Sequence, residues 1–192
     1  EKPESAMAAY VLIFSGVVAA LQIGKLPPAL PEISQTLGMT LTQSGFLLSF
    51  IQLGGMSLGL AIGMAADSFG AKRSMLLGLV LLGAASALGS MANSVSGLMF
   101  WRILEGLGFL CVVLPAPGLI RQHVQAEQLR KLLGYWGAYM PAGTALTLLL
   151  GPLWLPAWGW RSWWLLFAVL SWGMAFVLWR VVPAHADAVA QA

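Results

Sequence analysis

Charge is what this chain has least of. Asp, Glu, Lys and Arg make up 9% of its 192 residues, 59% are hydrophobic and mean hydropathy is +0.82, whereas soluble domains carry about 25% charge. So apolar a chain cannot clothe itself in a water-facing surface, which excludes a soluble globular domain. The single cysteine, Cys111, excludes a disulfide framework and a cysteine metal cluster. No His-Glu helical zinc motif occurs, no aspartates face each other from paired spans, and no nucleophile has a base within reach by spacing. The chain therefore reads as a non-enzyme without cofactor or metal. Alternation at period two is missing as well, which excludes a β-barrel. No cleavage site follows the first apolar run, so that run reads as an uncleaved start.

What is present is a succession of apolar runs. Each of six is long enough for a hydrocarbon core that needs about 20 helical residues: 6–24, 45–66, 74–91, 95–114, 132–155 and 160–182. They predict an all-α protein of six transmembrane helices, with 183–192 as the start of a linker. The net charge of +3 matters less than its placement. With alternating spans, Lys2, Lys72, Arg73, Arg121, Arg130, Lys131 and Arg180 fall on one side, and Lys25 and Arg161 on the other. The positive-inside rule then puts both termini in the cytoplasm of an inner-membrane protein. Nothing in this pattern points to nucleic acid.

The first run ends in Lys25 and then Pro27, Pro28, Pro31 and Glu32, which predicts an extended exterior segment. Thr40 and Gln43 fit a capping box that opens the second run. Gly55, Gly59 and Gly63 recur at every fourth position there, a bare face suited to close helix packing. The run leads into Asp67, Gly70, Lys72 and Arg73, a charged turn between two apolar stretches. Arg102 lies about 10 Å into the fourth run at 1.5 Å per residue, and Glu105 follows at i+3. A charge in mid-span costs ~2.5–3.5 kcal/mol. One reading is an ion pair that only lowers this cost. The other is an arginine facing a wet cavity, where it binds an anion or holds Glu105 while Glu105 carries protons. Gln22, Gln52, Tyr139 and Thr144 are the other polar groups suited to line a cavity. Gly106, Gly108, Gly143, Gly151 and Pro152 mark close packing and a bend. The cluster Trp160, Arg161, Trp163 and Trp164 reads as an interfacial aromatic belt. His123 reads as a surface residue of a basic loop, 121–131.

These pieces together resemble the amino-terminal half of a major facilitator superfamily transporter, over nearly the whole chain. Gly63, Asp67, Gly70, Lys72 and Arg73 are similar to that family's signature Gly-x-x-x-Asp-(Arg/Lys)-x-Gly-(Arg/Lys)-(Arg/Lys), with Ser68 and Ala71 in place of two cations. Arg102, Glu105, Gly106 and Gly108 resemble its fourth-helix signature Arg-x-x-(Gln/Glu)-Gly-x-Gly. Residues 102–110 with Pro115 and Pro117 look closest to the cyanate and nitroimidazole branch. Gly143, Gly151 and Pro152 are only partly similar to the antiporter signature, because the glycine pair that should follow is missing.

The resemblance implies one half of the family fold, a 3+3 inverted repeat, with the substrate site between two six-helix halves. It implies a conformational latch at Asp67, Lys72 and Arg73 and a coupling role for Arg102 and Glu105. A proton-coupled carrier of a small solute by rocker-type alternating access follows, with an anion suggested by Arg102 and drug efflux by the aromatic content. The partners implied are the substrate, the proton, the lipid bilayer and a second half. That half lies in the same polypeptide if this is a fragment, and in another subunit otherwise. A non-transporting half-size module that regulates another membrane protein is the rival reading.

Overall fold

The Pro27–Pro28 pair decides the course of the first span, in the opposite sense to the sequence expectation. The computed structural model describes residues 3–49, 59, 64 and 70–183. In it α1, Pro3–Gly24, passes through a single turn residue into α2, Leu26–Leu37. Lys25 itself is helical, its N–H donating to Leu21 O at 2.9 Å. The expected extended segment is therefore helix. Prolines at the first positions of a helix forfeit donors that have no helical partner there in any case. Only Pro31 lies inside α2, which buries Leu26, Ala29 and Ile33 along one stripe. It ends on Gly38 at φ 63°, with Met39 N–H returned to Ser34 O at 2.9 Å.

Next comes α3, helical over residues 41–49. Its capping box forms as expected: Thr40 N–H donates to Gln43 Oε1 at 2.9 Å and Gln43 N–H to Thr40 Oγ1 at 3.2 Å. Then follow α4, Ala71–Gly89, and α5, Val95–Val113, the latter capped by Ser94 Oγ accepting Gly97 N–H at 3.1 Å. The elements α6, Ala116–His123, and α7, Ala126–Gly137, shrink the expected loop 121–131 to two residues. Last is α8, Tyr139–Val181. Four stretches among the described residues are long and apolar enough to cross a membrane: Ala6–Leu37, Ala71–Gly89, Val95–His123 and Ala126–Val181.

The 43 residues of α8 would reach about 65 Å at 1.5 Å per residue, twice a hydrocarbon core of about 30 Å. Gly159, at φ 75° and ψ 169°, breaks it into two arms without a loop. The second arm begins at Trp160, whose N–H donates to Glu32 Oε1 at 3.2 Å, so α2 caps it from outside. Only glycine adopts this backbone readily. Gly159→Ala should cost ~1–3 kcal/mol and lower the melting temperature of the full-length protein in detergent. An unchanged melting curve would show that the joint is not strained.

Among the described residues, packing runs chiefly between α1 and α8, α4 and α5, and α4 and α8. α4 and α5 meet where a Cβ on Gly78 would lie 2.6 Å from Gly108 O. Two apolar cores result among the described residues. One gathers Leu12, Met75, Leu79, Val112, Leu119 and Leu178. The other gathers Ile33, Leu98 and Trp160, Trp163, Trp164 and Phe167. Those three tryptophans are 2% exposed or less, so they form core and not the interfacial belt the sequence suggested. With Phe167 they recur at i, i+3, i+4 and i+7, which is one helix face turned inward. Arg161 does anchor this end of the helix, donating to Ser90 O at 2.5 Å and Asn93 Oδ1 at 3.1 Å.

Candidate functional site

Six buried polar residues fall at the boundary between the two apolar cores. On α4, Ser86 lies between Leu82 and Ala92; on α5, Arg102 and Glu105 lie between Leu98 and Val112; on α8, Ser171 lies between Phe167 and Ala175. Gln22 of α1 and Lys25, just beyond its end, reach the same boundary. All six are 1% exposed or less. In an apolar layer no water competes for their hydrogen bonds, so each must find its partners within the protein.

Glu105 is the hub. Its Oε2 accepts from Arg102 Nη1, and its Oε1 accepts from Lys25 Nζ at 2.6 Å. Arg102 Nη1 also donates to Gln22 O at 2.9 Å. The ammonium of Lys25 further donates to Gln22 Oε1 at 2.5 Å and Ser86 Oγ at 2.6 Å, and stands 4.5 Å from the centre of the Trp164 ring. The acceptors are themselves fixed. Gln22 Nε2 donates to Phe167 O at 3.0 Å and Ser171 Oγ at 2.8 Å, which turns its carbonyl oxygen toward Lys25. Ser86 Oγ donates to Trp164 O at 2.7 Å. Two formal positive charges face one negative, so the cluster carries a formal +1. Helix interiors joined through such a network cannot slide without breaking several charge-assisted bonds at once.

The ion pair that the i, i+3 spacing offered is therefore formed, and Gln22 belongs to the same network. The picture of Arg102 facing a wet cavity is not what the structure has, because the side chain is 1% exposed and its guanidinium is held by Gln22 O and the Glu105 carboxylate. Sequence reasoning missed Lys25, which the predicted extended segment had assigned to the exterior. Its spacing of i+3 from Gln22 would have revealed it had the helix been carried through the prolines. Nothing in the sequence singled out Ser86 or Ser171.

The other expected residues lie elsewhere. Tyr139 is half-buried and stacked on Trp136 at 4.5 Å, and Thr144 O accepts the Thr147 hydroxyl at 2.8 Å; neither touches the cluster. Of the charged turn, Gly70 takes φ 92° before α4, Lys72 Nζ reaches Trp179 O at 3.3 Å, and Arg73 is exposed. Gly63 and Asp67 lie outside the described residues, as do Gln52 and Gly55. Gly59 has open space beside it among the described residues. Gly106 and Gly108 are buried in α5. Gly143 packs against Ala20 of α1, and Gly151 against Pro28 of α2. Pro152 is exposed. Among the described residues no group of His, Cys, Asp and Glu could hold a metal.

Residues 12–191 match a family model described as Major Facilitator Superfamily. An uncharacterized MFS-type transporter of Mycobacterium tuberculosis is 30% identical over 155 residues, covering 79% of this chain and 22% of that protein. The quinolone resistance protein NorA of Staphylococcus aureus is 29% identical over 137 residues, covering 71% and 35%. Among solved structures, a bacterial homolog of the human lysosomal transporter Spinster, inward-facing and unoccupied, superimposes with TM-score 0.86 at 17% identity. That match covers 95% of this chain and 44% of that one. In its occupied form the TM-score is 0.87. The chain thus spans between about a fifth and a half of the length of the proteins it matches.

Proposed function

The chain belongs to the major facilitator superfamily, and from that premise we propose that it is the amino-terminal six-helix half of a secondary transporter. Its second half is supplied by the same polypeptide, as the chain's share of its relatives' length favours. The whole protein carries a small solute across a bacterial inner membrane, coupled to protons, by rocker-type alternating access. Both termini lie in the cytoplasm, on the side that collects Arg121, Arg130, Lys131 and Arg180. Asp67, Lys72 and Arg73 bias the state closed to the cytoplasm.

The single observation carrying this reading is the enclosed Arg102–Glu105–Lys25 cluster. Burying three ionisable groups between apolar cores costs several kcal/mol per ion before pairing repays it, an expense that packing alone does not require. The cluster ties α1, α4, α5 and α8 together where the two apolar cores meet, and this architecture binds substrate near the bilayer midplane. A charge change there therefore alters helix packing next to the substrate. Its formal excess of positive charge favours an anionic solute. The likeness to NorA, a quinolone resistance protein, favours the second reading, efflux of a drug.

Everted membrane vesicles containing the full-length protein and holding a respiratory proton gradient test both. A pH-sensitive acridine dye reports proton release when a fluorescent quinolone or benzoate is added. The expected result is dye recovery with one of the two, at least tenfold reduced in Arg102→Ala and Glu105→Gln, as loss of a charge-assisted contact worth about 1.5–3 kcal/mol would give. Unchanged flux and pH dependence in both variants would refute the mechanism.

A further inference from the structure

Lys25 occupies a joint of the first span at which the backbone loses two successive hydrogen bonds. Pro27 and Pro28 have no N–H, so the carbonyls of Ile23 and Gly24 lose the donors a continuous helix would provide. Side-chain bonds gather at the next residue, Lys25. Trp163 Nε1 donates to Lys25 O at 3.1 Å. The ammonium has three N–H groups, and its three acceptors at 2.5–2.6 Å come from α1, α4 and α5. The Trp164 ring of α8 closes the fourth side. The titratable groups facing it are Glu105 and Arg102, both from α5.

We propose that Lys25 is a positioning residue of the transport cycle: it sets the Glu105 carboxylate against Arg102 and fastens α2 to the bundle, so that α2 moves outward only when the Lys25–Glu105 pair breaks. The two halves of this statement share one cause. Glu105 offers one oxygen to each cation, so removing Lys25 frees an oxygen and lets the carboxylate rotate about Arg102. At the same time the joint loses its only ionic tie to α4 and α5 among the described residues. Beyond the joint, α2 is held by the apolar contacts of Leu26, Ala29 and Ile33, by Pro28 against Gly151, by the Ser34–Ser44 hydroxyl bond at 3.1 Å and by the Glu32 cap on Trp160, none of which pairs two charges. In lipid such apolar contacts gain little over contact with acyl chains, and the two remaining polar contacts are only part-buried, which leaves the buried ionic tie the strongest single hold on α2. The cycle invoked is that of the transport reading above, whereas the position of α2 can be measured without any substrate.

Two single-cysteine versions of the full-length protein read this out, with Cys111 and any other cysteine replaced. Ala29→Cys reports α2, and Ala19→Cys reports the inner core of α1; both alanines are fully buried. The probe is a charged maleimide on the detergent-solubilised protein. Lys25→Met is expected to speed labelling at Ala29→Cys about tenfold, the population shift that loss of one charge-assisted hydrogen bond gives, and to leave Ala19→Cys slow. Equal labelling at Ala29→Cys with and without Lys25 overturns the proposal. So does faster labelling at both positions, which would mean that the whole half has loosened. Where the vesicle assay detects quinolone efflux, Lys25→Met should lower its maximal rate at an unchanged half-saturating concentration. Absence of efflux in the unsubstituted protein counts against the transport reading alone, and the labelling rates still decide the role of Lys25.

Discussion

Glu105→Gln is expected to destabilise the protein far more than removal of either cation it binds. The carboxylate accepts Lys25 on one oxygen and Arg102 on the other with no access to water. A glutamine keeps one acceptor and turns two N–H donors toward a cation. The formal charge of the enclosed cluster rises from +1 to +2. Breaking a buried pair in this way costs ~3–5 kcal/mol. Lys25→Met and Arg102→Met each leave one neutral pair, Arg102–Glu105 or Lys25–Glu105. They cost less, because Glu105 keeps one cation in each and no buried charge is left uncompensated. Melting curves of the three variants of the full-length protein in detergent decide it. A Glu105→Gln transition at or above that of the two cation variants would mean that the cations hold each other apart by other means, and that Glu105 is not the hub.

Gly78→Val should separate α4 from α5. A Cβ at Gly78 would lie 2.6 Å from Gly108 O and 2.8 Å from the Val112 side chain; one at Gly108 would lie 2.9 Å from Gly78 O. A backbone oxygen cannot rotate away as a side chain can, so the helices themselves must shift. Overpacking of this kind costs ~1–3 kcal/mol. The displacement also lies between Ser86 and Glu105, whose distances to Lys25 would grow. Gly78→Val should therefore lower the melting temperature and also speed maleimide labelling at Ala29→Cys. Gly118→Val, at a glycine with nothing within 4 Å, serves as the neutral comparison. Equal melting temperatures for the two valine variants would show that the crossing yields without cost.

Composition was enough to place this chain in a membrane. With 9% charge no water-facing surface can be made, and apolar runs of bilayer length leave helices as the available element. The Thr40–Gln43 capping box, the Arg102–Glu105 pair and the packing at Gly108, Gly143 and Gly151 were equally legible, because each rests on residues close in sequence or on the absence of a side chain. Burial, by contrast, is a property of neighbours. Trp160, Trp163 and Trp164 have the composition of an interfacial belt, and only the helices packed around them make them core.

Lys25 shows the same division most sharply. Read locally, a lysine before Pro27 and Pro28 ends a helix and meets water. In the folded protein it is enclosed, because Glu105 and Ser86, 80 and 61 residues further along the chain, converge on it with Trp164. Local sequence fixes which groups need partners. Which partners they obtain depends on helix contacts between distant segments, and those come only from the tertiary structure.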